Sequence, residues 1–322
     1  MRNSDNKKYF DIFDTIQVID QPSCENLGED SFYCANSTNS ALISVCDGCG
    51  GLGARKYETY KRHTGAYIAS RAVSGAIHDW YHKNYGRSWK DAEQIASSID
   101  KYIRKNFKIC EKYAVERLNI KGSLIRKFPT TLALAYAETD GKELLLHALW
   151  AGDSRVYLVN HEGLAQLSLD DTDVEDALEN IYSDGPLTNV LSSDGNYEIH
   201  HKTIKISEPT IVFVATDGCF GYISSPMEFE YLLLKALIES KNPESFKKEL
   251  RKQLSDYAGD DLVLGWMSYF YGNYKNTQKA YVNRVDFLEK NYIHIIQDSD
   301  YDENVIRELW YGYKPLYERY LR

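Results

Sequence analysis

The order of the predicted elements indicates an α+β fold with stacked layers, because strands and helices come in separate runs and not in strict alternation. Two stretches carry much of this prediction. The apolar residues 41–46 stop at Asp47, which glycines follow, and this pattern is typical of a buried strand that ends in a turn. Residues 210–215 end in the same way on Asp217 and Gly218. Helical segments lie between these two strands, so a parallel α/β sheet is disfavoured.

The N-terminal part predicts three strands and then two helices. Residues 15–19 alternate like an opening strand. Residues 31–35 and 41–46 are two more strands on either side of a polar turn, so the three strands form a meander. Apolar side chains then recur every three or four residues over residues 54–85 and again over residues 91–118. A strand-rich unit is therefore followed by a pair of long helices.

The central part returns to strands. Asp140 and Gly141 are expected to form the turn of its first hairpin. The acidic, turn-rich residues 170–196 show little periodicity and predict an irregular surface segment, which we call the flap. Two further helices are predicted at residues 226–238 and 244–254. Strands are predicted at residues 130–136, 143–151, 155–159, 164–169, 197–206, 210–215 and 260–267.

The C-terminal residues 274–322 have a different pattern, and we predict a helical extension attached to a domain that spans residues 1–273. Two amphipathic stretches are separated by the acidic residues 298–302, which favours two helices. Many of the 26 tyrosines fall in this tail. Aromatic residues are enriched at interfaces, so the tail could mediate protein contacts. The alternative is that its apolar stripe packs on the domain itself, and both interpretations stay open here.

The composition argues against several classes of protein. The 322 residues carry a formal charge of −9, which argues against a general nucleic-acid or anionic-membrane surface. The N-terminus is polar, and no apolar run approaches the roughly 18 residues of a membrane span. Six cysteines without a CxxC pair indicate reduced thiols and not a disulfide framework. We therefore expect a cytoplasmic protein with no membrane and no nucleic-acid partner.

Seven short motifs follow one another along the chain. They are Glu29-Asp30-Ser31-Phe32, Val45-Cys46-Asp47-Gly48-Cys49-Gly50-Gly51, Pro129-Thr130-Thr131, Ala151-Gly152-Asp153-Ser154-Arg155-Val156-Tyr157, Gln166-Leu167-Ser168-Leu169-Asp170, Val214-Ala215-Thr216-Asp217-Gly218 and Asp260-Asp261-Leu262-Val263-Leu264. Each motif alone is a weak signal, but the ordered set resembles the metal-dependent serine/threonine protein phosphatases of type 2C, the PPM family, in their bacterial form. The resemblance covers residues 14–269 and leaves the tail unexplained. It implies a β-sandwich of two antiparallel sheets flanked by pairs of long helices, a four-layer α-β-β-α arrangement.

The chemistry of these positions can be argued from the residue types. Carboxylates without a set of thiolates or imidazoles favour Mg²⁺ or Mn²⁺ over zinc. Two such ions about 3.5–4 Å apart can bridge a water, lower its pKa and direct the hydroxide at phosphorus without a phosphoenzyme. The resemblance implies that Asp47 bridges both ions, that the Gly48 carbonyl binds one, and that Asp217 and Asp260 complete the coordination. The three aspartates are thus the catalytic candidates.

Further acids have weaker claims. By resemblance, Glu29 and Asp30 act through metal-bound waters, and Asp153, paired with Asp217, offers a third metal site. Asp260 and Asp261 compete for one ligand position, and the register of the family favours Asp260. Each assignment has a plainer alternative, because Asp-Gly at a strand end is often only a turn and a loop glutamate is usually solvated.

The sequence departs from the family at three positions. Glu25 stands where many members place an arginine that clasps the substrate phosphate, and a carboxylate there repels a phosphate. Arg55 or Lys56 could substitute for that arginine. Cys49 replaces a histidine proposed to protonate the leaving group; it is either an oxidisable thiol or a small residue that fills space. Asp171 replaces another histidine.

The resemblance implies a protein serine/threonine phosphatase with two, and with Asp153 three, Mg²⁺ or Mn²⁺ ions. Its partners are then a phosphorylated protein substrate and a kinase that opposes it in signalling. The alternative class is a catalytically weak pseudophosphatase that serves as a regulatory or binding module, and Glu25 is the feature that favours it. A third possibility is an enzyme for small phosphorylated metabolites, since the flap and nearby loops decide the substrate.

Overall fold

Two five-stranded antiparallel sheets form the centre of the computed structural model, which describes residues 13–25, 27–114, 127–139, 143–183 and 185–321. The strands of the first sheet, in spatial order, are β1 (Phe13–Gln21), β12 (Leu262–Tyr269), β11 (Thr210–Ala215), β8 (Arg155–Asn160) and β9 (Gly163–Gln166). The strands of the second sheet are β10 (His200–Ile206), β7 (Leu144–Ala151), β6 (Leu132–Thr139), β3 (Ser40–Cys46) and β2 (Ser31–Asn36). Each β-strand predicted from the sequence has a counterpart in one of these sheets.

The two sheets pack face to face through small and branched side chains. Ile43 and Val45 of β3 share one apolar cluster with Val214 of β11 and Met267 of β12. Gly265 allows a close approach, because a Cβ atom at that position would lie 2.3 Å from Cδ1 of Ile43. Strands that are buried on both faces read as continuous apolar runs, which explains why the sequence signal for β3 and β11 is so clear.

Pairs of helices cover both outer faces of the sandwich. Helices α2 (Gly65–Asn84) and α3 (Ala92–Tyr113) cover the second sheet. Helices α5 (Pro226–Glu239) and α6 (Pro243–Tyr257) cover the first. Polar N-caps fix where α2 and α3 begin: Thr64 accepts a hydrogen bond from the Tyr67 amide and Asp91 from the Gln94 amide. The predicted four-layer α-β-β-α arrangement is confirmed.

The first long helix begins later than the sequence pattern predicts. The helical spacing suggests a start at residue 54, but residues before Gly65 form a short helix α1 (Gly50–Gly53) and a small hairpin of β4 (Lys56–Tyr57) and β5 (His63–Thr64). Lys61 and Arg62 make its turn with positive φ angles of 54° and 65°. Neither residue type signals such a turn, so the error has a clear cause. Residues 115–118 of the second predicted helix and the predicted Asp140-Gly141 turn lie outside the described residues.

The tail is helical and packs on the domain. It contains α7 (Tyr274–Leu288), a π-helical turn (Glu289–Ile293), α8 (His294–Asp298) and α9 (Glu303–Tyr317). Tyr281, Trp310 and Tyr313 are buried in the same apolar cluster as α5 and the first sheet. The acidic break at residues 298–302 falls where the sequence predicts it. The tail therefore extends the core of the domain, while a domain boundary at residue 273 stays a prediction. Among the described residues, no helix has the length and apolar character needed to cross a membrane.

Candidate active site

Four aspartates meet at one end of the sandwich because each lies next to the end of a strand. Asp30 immediately precedes β2, Asp47 follows β3, Asp217 follows β11, and Asp153 lies in the turn between β7 and β8. Each of these charges acts on at least one of the others. Asp30 is 7% exposed and the other three are partly buried. The fold thus brings together four of the aspartates that the sequence singles out.

The surroundings of these carboxyl groups disfavour negative charge. Burial raises the pKa of Asp30 well above its usual range, and the charge of Asp217 adds to the effect. Burial likewise raises the pKa of Asp47, with further contributions from Asp30 and Asp217. The pKa of Asp153 is raised by burial first and by Asp217 next. Asp30 and Asp47 also share a hydrogen bond. Such a cluster needs protons or a cation to offset the repulsion among its members.

The oxygen atoms of the cluster suit a hard divalent cation. Oδ2 of Asp30 and Oδ1 of Asp153 are buried and have no hydrogen-bond partner in the part of the chain that the structure describes. Carboxylate oxygens of this kind are the ligands that Mg²⁺ and Mn²⁺ prefer. In the described ranges, however, no three acidic, histidine or cysteine side chains stand close enough together to hold an ion as they are. The donor types fit such a metal, and the assignment of individual ligands stays a prediction.

The backbone of Asp47 is fixed by the Pro-Thr-Thr motif. The Asp47 amide donates to Oγ1 of Thr131 at 3.0 Å, and the Asp47 carbonyl accepts from Oγ1 of Thr130 at 2.6 Å and from the Thr131 amide at 2.8 Å. Oγ1 of Thr131 also lies 2.6 Å from Oγ of Ser154, the neighbour of Asp153. These two threonines thus link two of the aspartates. The sequence flagged the motif but gave no role for it.

The Glu29 side chain packs within the site and is partly shielded from solvent. Its carboxylate accepts a hydrogen bond from Oγ1 of Thr64 and lies beside Gly50, where a Cβ atom would be 2.4 Å from Oε2 of Glu29. A Cβ atom on Gly48 would lie 2.7 Å from the Glu29 carbonyl oxygen, so glycine is required there. Burial raises the pKa of Glu29, against the opposing hydrogen bond from Thr64. The glycine-rich loop and Glu29 therefore form one packed unit.

Arg71 of α2 holds the same segment and was missed in the sequence. Its guanidinium donates to the carbonyl oxygens of Gly28 and Glu29, both at 2.9 Å, and stacks on the Tyr67 ring with its central carbon 3.5 Å from the ring centroid. It also lines a small cavity together with Asp30. Its only sequence signal is an arginine within an otherwise small and apolar stretch of the helix.

The choice between Asp260 and Asp261 has a structural basis. Asp261 is buried, and its carboxylate accepts three hydrogen bonds, from the Ser23 amide at 2.7 Å, from Oγ of Ser23 at 2.9 Å and from the Glu29 amide at 2.5 Å. Asp260 is exposed, its charge acts on Glu29, and its Oδ1 accepts from the Asp261 amide at 2.7 Å. The Asp261 carboxylate already binds the loop that contains Ser23 and Glu29. Asp260, which is exposed, therefore remains the candidate metal ligand.

Asp171 secures the turn that carries Asp153. Oδ2 of Asp171 accepts from the Gly152 amide at 2.8 Å and from Nδ2 of Asn189 at 2.7 Å. Its Oδ1 lies 2.9 Å from Nε2 of His200 on β10. This hydrogen bond raises the pKa of His200 above 6.5, outweighing the effect of burial. The aspartate that replaces the family's histidine therefore acts as a structural link between β10, the flap and the Asp153 turn.

A cavity of about 370 Å³ opens beside the aspartates. Asp153 and Asp217 form part of its floor, and the flap supplies one wall through residues that include Asn180 and Tyr182. Tyr222, which is exposed, also lines the cavity. A phosphorylated side chain that enters this cavity would bring its phosphate next to two of the four carboxylates.

The structure also locates the residues at which the sequence departs from the family pattern. Glu25 is exposed on the loop before Asp30. Arg55 is partly buried and lies over the Tyr57 ring at 5.6 Å, whereas Lys56 is exposed. Burial and the charge of Asp47 raise the pKa of the Cys49 thiol, which favours a residue that fills space over an oxidisable thiolate. Neither Arg55 nor Lys56 is singled out as the substitute for the missing arginine.

Comparisons with known proteins agree with this fold. The family model described as protein phosphatase 2C matches residues 25–255. A search of curated proteins gives no match. Among solved structures, the serine/threonine phosphatase Stp1 from Staphylococcus aureus is 16% identical with a TM-score of 0.56, covering 81% of this chain and 97% of Stp1.

Two structures of one further phosphatase also match. The Mycobacterium tuberculosis serine/threonine phosphatase PstP/Ppp is 19% identical with a TM-score of 0.54, covering 80% of this chain and 99% of its own. The catalytic domain of PstP in complex with two manganese ions is 16% identical with a TM-score of 0.50, covering 80% and 98%. At these identities the structural matches establish the fold.

Proposed function

This chain belongs to the protein phosphatase 2C family of phosphoric monoester hydrolases, and on that premise we propose that it removes phosphate from phosphoserine and phosphothreonine side chains of proteins with Mg²⁺ or Mn²⁺. The observation that carries the proposal is the convergence of Asp30, Asp47, Asp153 and Asp217 beside a cavity open to substrate. Four partly or fully buried carboxylates are costly to keep together unless a cation offsets their repulsion.

Each residue has a proposed task. Asp47, the Gly48 carbonyl, Asp217 and Asp260 would hold two ions, and Asp153 would contribute to a third. When bound, such a pair of ions lowers the pKa of a water so that hydroxide can attack phosphorus at neutral pH. Glu29 and Asp30 would orient ion-bound waters, for which Oδ2 of Asp30 has no competing hydrogen-bond donor among the described residues. These roles rest on the family resemblance together with the placement of the side chains.

The rest of the site keeps these groups in position. Thr130 and Thr131 fix the Asp47 backbone, and Asp171 fixes the turn of Asp153. Arg71 anchors the segment that carries Glu29 and Asp30 through two backbone carbonyls. None of these groups needs to touch the substrate. Their effect is to hold the carboxylates within the small tolerances that phosphoryl transfer requires.

One observation favours the alternative of a weak or inactive pseudophosphatase. Glu25 occupies the position where a phosphate-binding arginine is usual, and its exposed carboxylate offers repulsion instead of a bidentate clasp. An enzyme without that clasp is expected to bind phosphate weakly. The active phosphatase and the pseudophosphatase therefore differ in turnover and not in fold, and a measurement of activity distinguishes them.

The experiment is hydrolysis of an aryl phosphate, a phosphothreonine peptide and a sugar phosphate by purified protein with Mn²⁺, with Mg²⁺ and with chelator. We expect metal-dependent turnover of the first two substrates, lowered at least 100-fold in Asp47→Asn and in Asp217→Asn. Asp286→Asn, an exposed aspartate on α7, is the matched control and should retain full activity.

The outcomes separate the hypotheses. Inactivity of the wild type with every metal would overturn the enzymatic proposal and favour the pseudophosphatase. Preference for the sugar phosphate over the peptide would indicate a metabolite phosphatase. A Glu25→Arg variant with a lower KM for the peptide would show that this position still faces the phosphate.

A further inference from the structure

The tail helix α9 makes hydrogen bonds and ion pairs with the flap. The Arg307 guanidinium donates from Nε and Nη2 to both carboxylate oxygens of Glu179, each at 2.9 Å. Nζ of Lys314 donates to Oδ2 of Asp176 at 2.6 Å. Nε1 of the buried Trp310 lies 3.1 Å from each oxygen of the same carboxylate. Three side chains on one face of α9 thus hold two acids of the flap, and we call this set of contacts the clamp.

The clamped acids control the flap segment that lines the cavity. Oδ1 of Asp176 accepts from the amides of Leu178 and Glu179 and so fixes the start of a short helix, α4 (Glu179–Tyr182). Asn180 and Tyr182 in that helix form part of the cavity wall. The Arg307 guanidinium also lies over the Tyr182 ring at 5.0 Å. A change in the clamp would therefore be transmitted within one helical turn to the residues that face the substrate.

The same helix also contacts a second residue that lines the cavity, Arg155 of β8. Nη1 of the fully buried Arg155 donates to the Tyr317 hydroxyl at 3.4 Å. Arg155 is ion-paired with Asp170, lines the cavity and lies two residues after Asp153. Helix α9 thus contacts both the flap and β8, the strand that follows the Asp153 turn, and each of these supplies residues that line the cavity.

We propose that α9 is a specificity-determining element: Arg307, Trp310 and Lys314 are positioning residues that hold the flap against the cavity and thereby favour phosphorylated peptides over small phosphomonoesters. This inference rests on the proposed function. The flap wall that the clamp positions offers the side-chain amide of Asn180, hydroxyl groups of Thr172 and Ser183, and the Tyr182 ring, whereas Arg155 lines the cavity from β8. Such neutral groups can contact the backbone and side chains that flank a phosphorylated residue in a peptide. A small phosphomonoester has no such flanking groups and needs only the aspartates.

The test compares two double variants that lose the same charge. Arg307→Ala/Lys314→Ala breaks the clamp, whereas Lys275→Ala/Lys279→Ala removes two exposed lysines of α7 in the same tail. Hydrogen exchange of residues 170–196 reports on the flap. The ratio of kcat/KM for a phosphothreonine peptide to that for an aryl phosphate, with Mn²⁺, reports on specificity. A third variant, Arg307→Glu/Glu179→Arg, restores the ion pair with reversed charges.

We expect the clamp variant to exchange at least 10-fold faster in the flap, to lose at least 5-fold in peptide kcat/KM through a higher KM, and to stay within 2-fold on the aryl phosphate. The reversed pair, in which Lys314 is intact, should stay closer to the wild type than the clamp variant does in both measurements, and the lysine control should behave like the wild type. Unchanged exchange, or an equal loss on both substrates, would overturn the inference. If the wild type is inactive on both substrates, the proposed function fails instead, and the exchange arm alone decides whether α9 positions the flap.

Discussion

The Asp261 carbonyl oxygen lies where a side chain on Gly218 would begin: a Cβ atom at residue 218 would be only 1.9 Å from it. The end of β11 and the start of β12 are therefore in backbone contact, and this contact places Asp217 next to the Asp260-Asp261 pair. A second link supports it, since the Thr216 amide donates to the Val263 carbonyl at 3.0 Å.

We expect Gly218→Ala to force these two strand ends apart. The change should lower the free energy of unfolding by about 1–3 kcal/mol, the usual cost of overpacking, and should abolish activity because two candidate ligands move. Chemical denaturation and the phosphatase assay measure both effects. Gly312→Ala is the control, because the added Cβ on the exposed face of α9 would meet no described atom within 4 Å apart from its chain neighbours and the backbone of its own helix. Equal stability of the two variants would show that the strand ends can separate without cost.

Repulsion within the aspartate cluster should lower the stability of the metal-free protein. Asp47→Asn removes one charge from a group of mutually repelling carboxylates, so we expect it to raise the melting temperature of metal-free protein by about 2 °C or more while activity is lost. Differential scanning calorimetry with chelator present measures this. Asp286→Asn should leave the melting temperature unchanged. A lower melting temperature for Asp47→Asn would mean that hydrogen bonds to this carboxyl outweigh the repulsion.

The buried Arg155-Asp170 pair should be important for stability. The guanidinium makes hydrogen bonds of 2.7–3.1 Å to the carboxylate, and both groups are buried. Arg155→Met would leave an unpaired buried charge, so we expect a loss of about 3–5 kcal/mol in urea unfolding, most of which Asp170→Asn in the same chain should restore. The exposed pair of Arg62 and Glu58 is the contrast, and Arg62→Met should cost less than about 1 kcal/mol.

The His200-Asp171 pair predicts a dependence of stability on pH. Because its pKa is raised in the folded protein, His200 binds its proton more tightly there than in the unfolded chain. Its contribution is therefore complete below about pH 6.5, the ordinary value, and is lost as the pH rises through the raised pKa. The difference in unfolding free energy between wild type and His200→Gln should shrink from pH 6 to pH 9. A difference for His200→Gln that is constant with pH would contradict the assignment.

The sequence predicted most of the fold because its signals are local. An apolar run such as residues 41–46, bounded by an aspartate and glycines, specifies both a buried strand and its end. The start of α2 could not be predicted in this way, since Lys61 and Arg62 adopt left-handed backbone angles without glycine or asparagine. The residues that the hairpin of β4 and β5 occupies carry the same spacing of apolar side chains as a helix.

The sequence predicted the aspartates of the candidate site but not the residues that hold them in position. Asp47 and Asp217 stand at recognisable strand ends, whereas Arg71 gives no pattern of its own and finds its carbonyl partners only in three dimensions. The contact between Arg307 and Glu179 joins residues 128 positions apart, and no local rule selects that partner. Nor does the sequence show that Asp261 is engaged by Ser23 while Asp260 is exposed.

Titration calorimetry with Mn²⁺ measures metal binding by the aspartate cluster without any assumption about the substrate. We expect saturable binding of at least one ion per chain by the wild type and by Asp286→Asn, and loss of that binding in Asp47→Asn and Asp217→Asn. Saturation should also stabilise the wild type, by about 2.7 kcal/mol at a free concentration of 100 times Kd. Absence of binding to the wild type, or equal binding to Asp47→Asn, would show that these aspartates do not form a metal site.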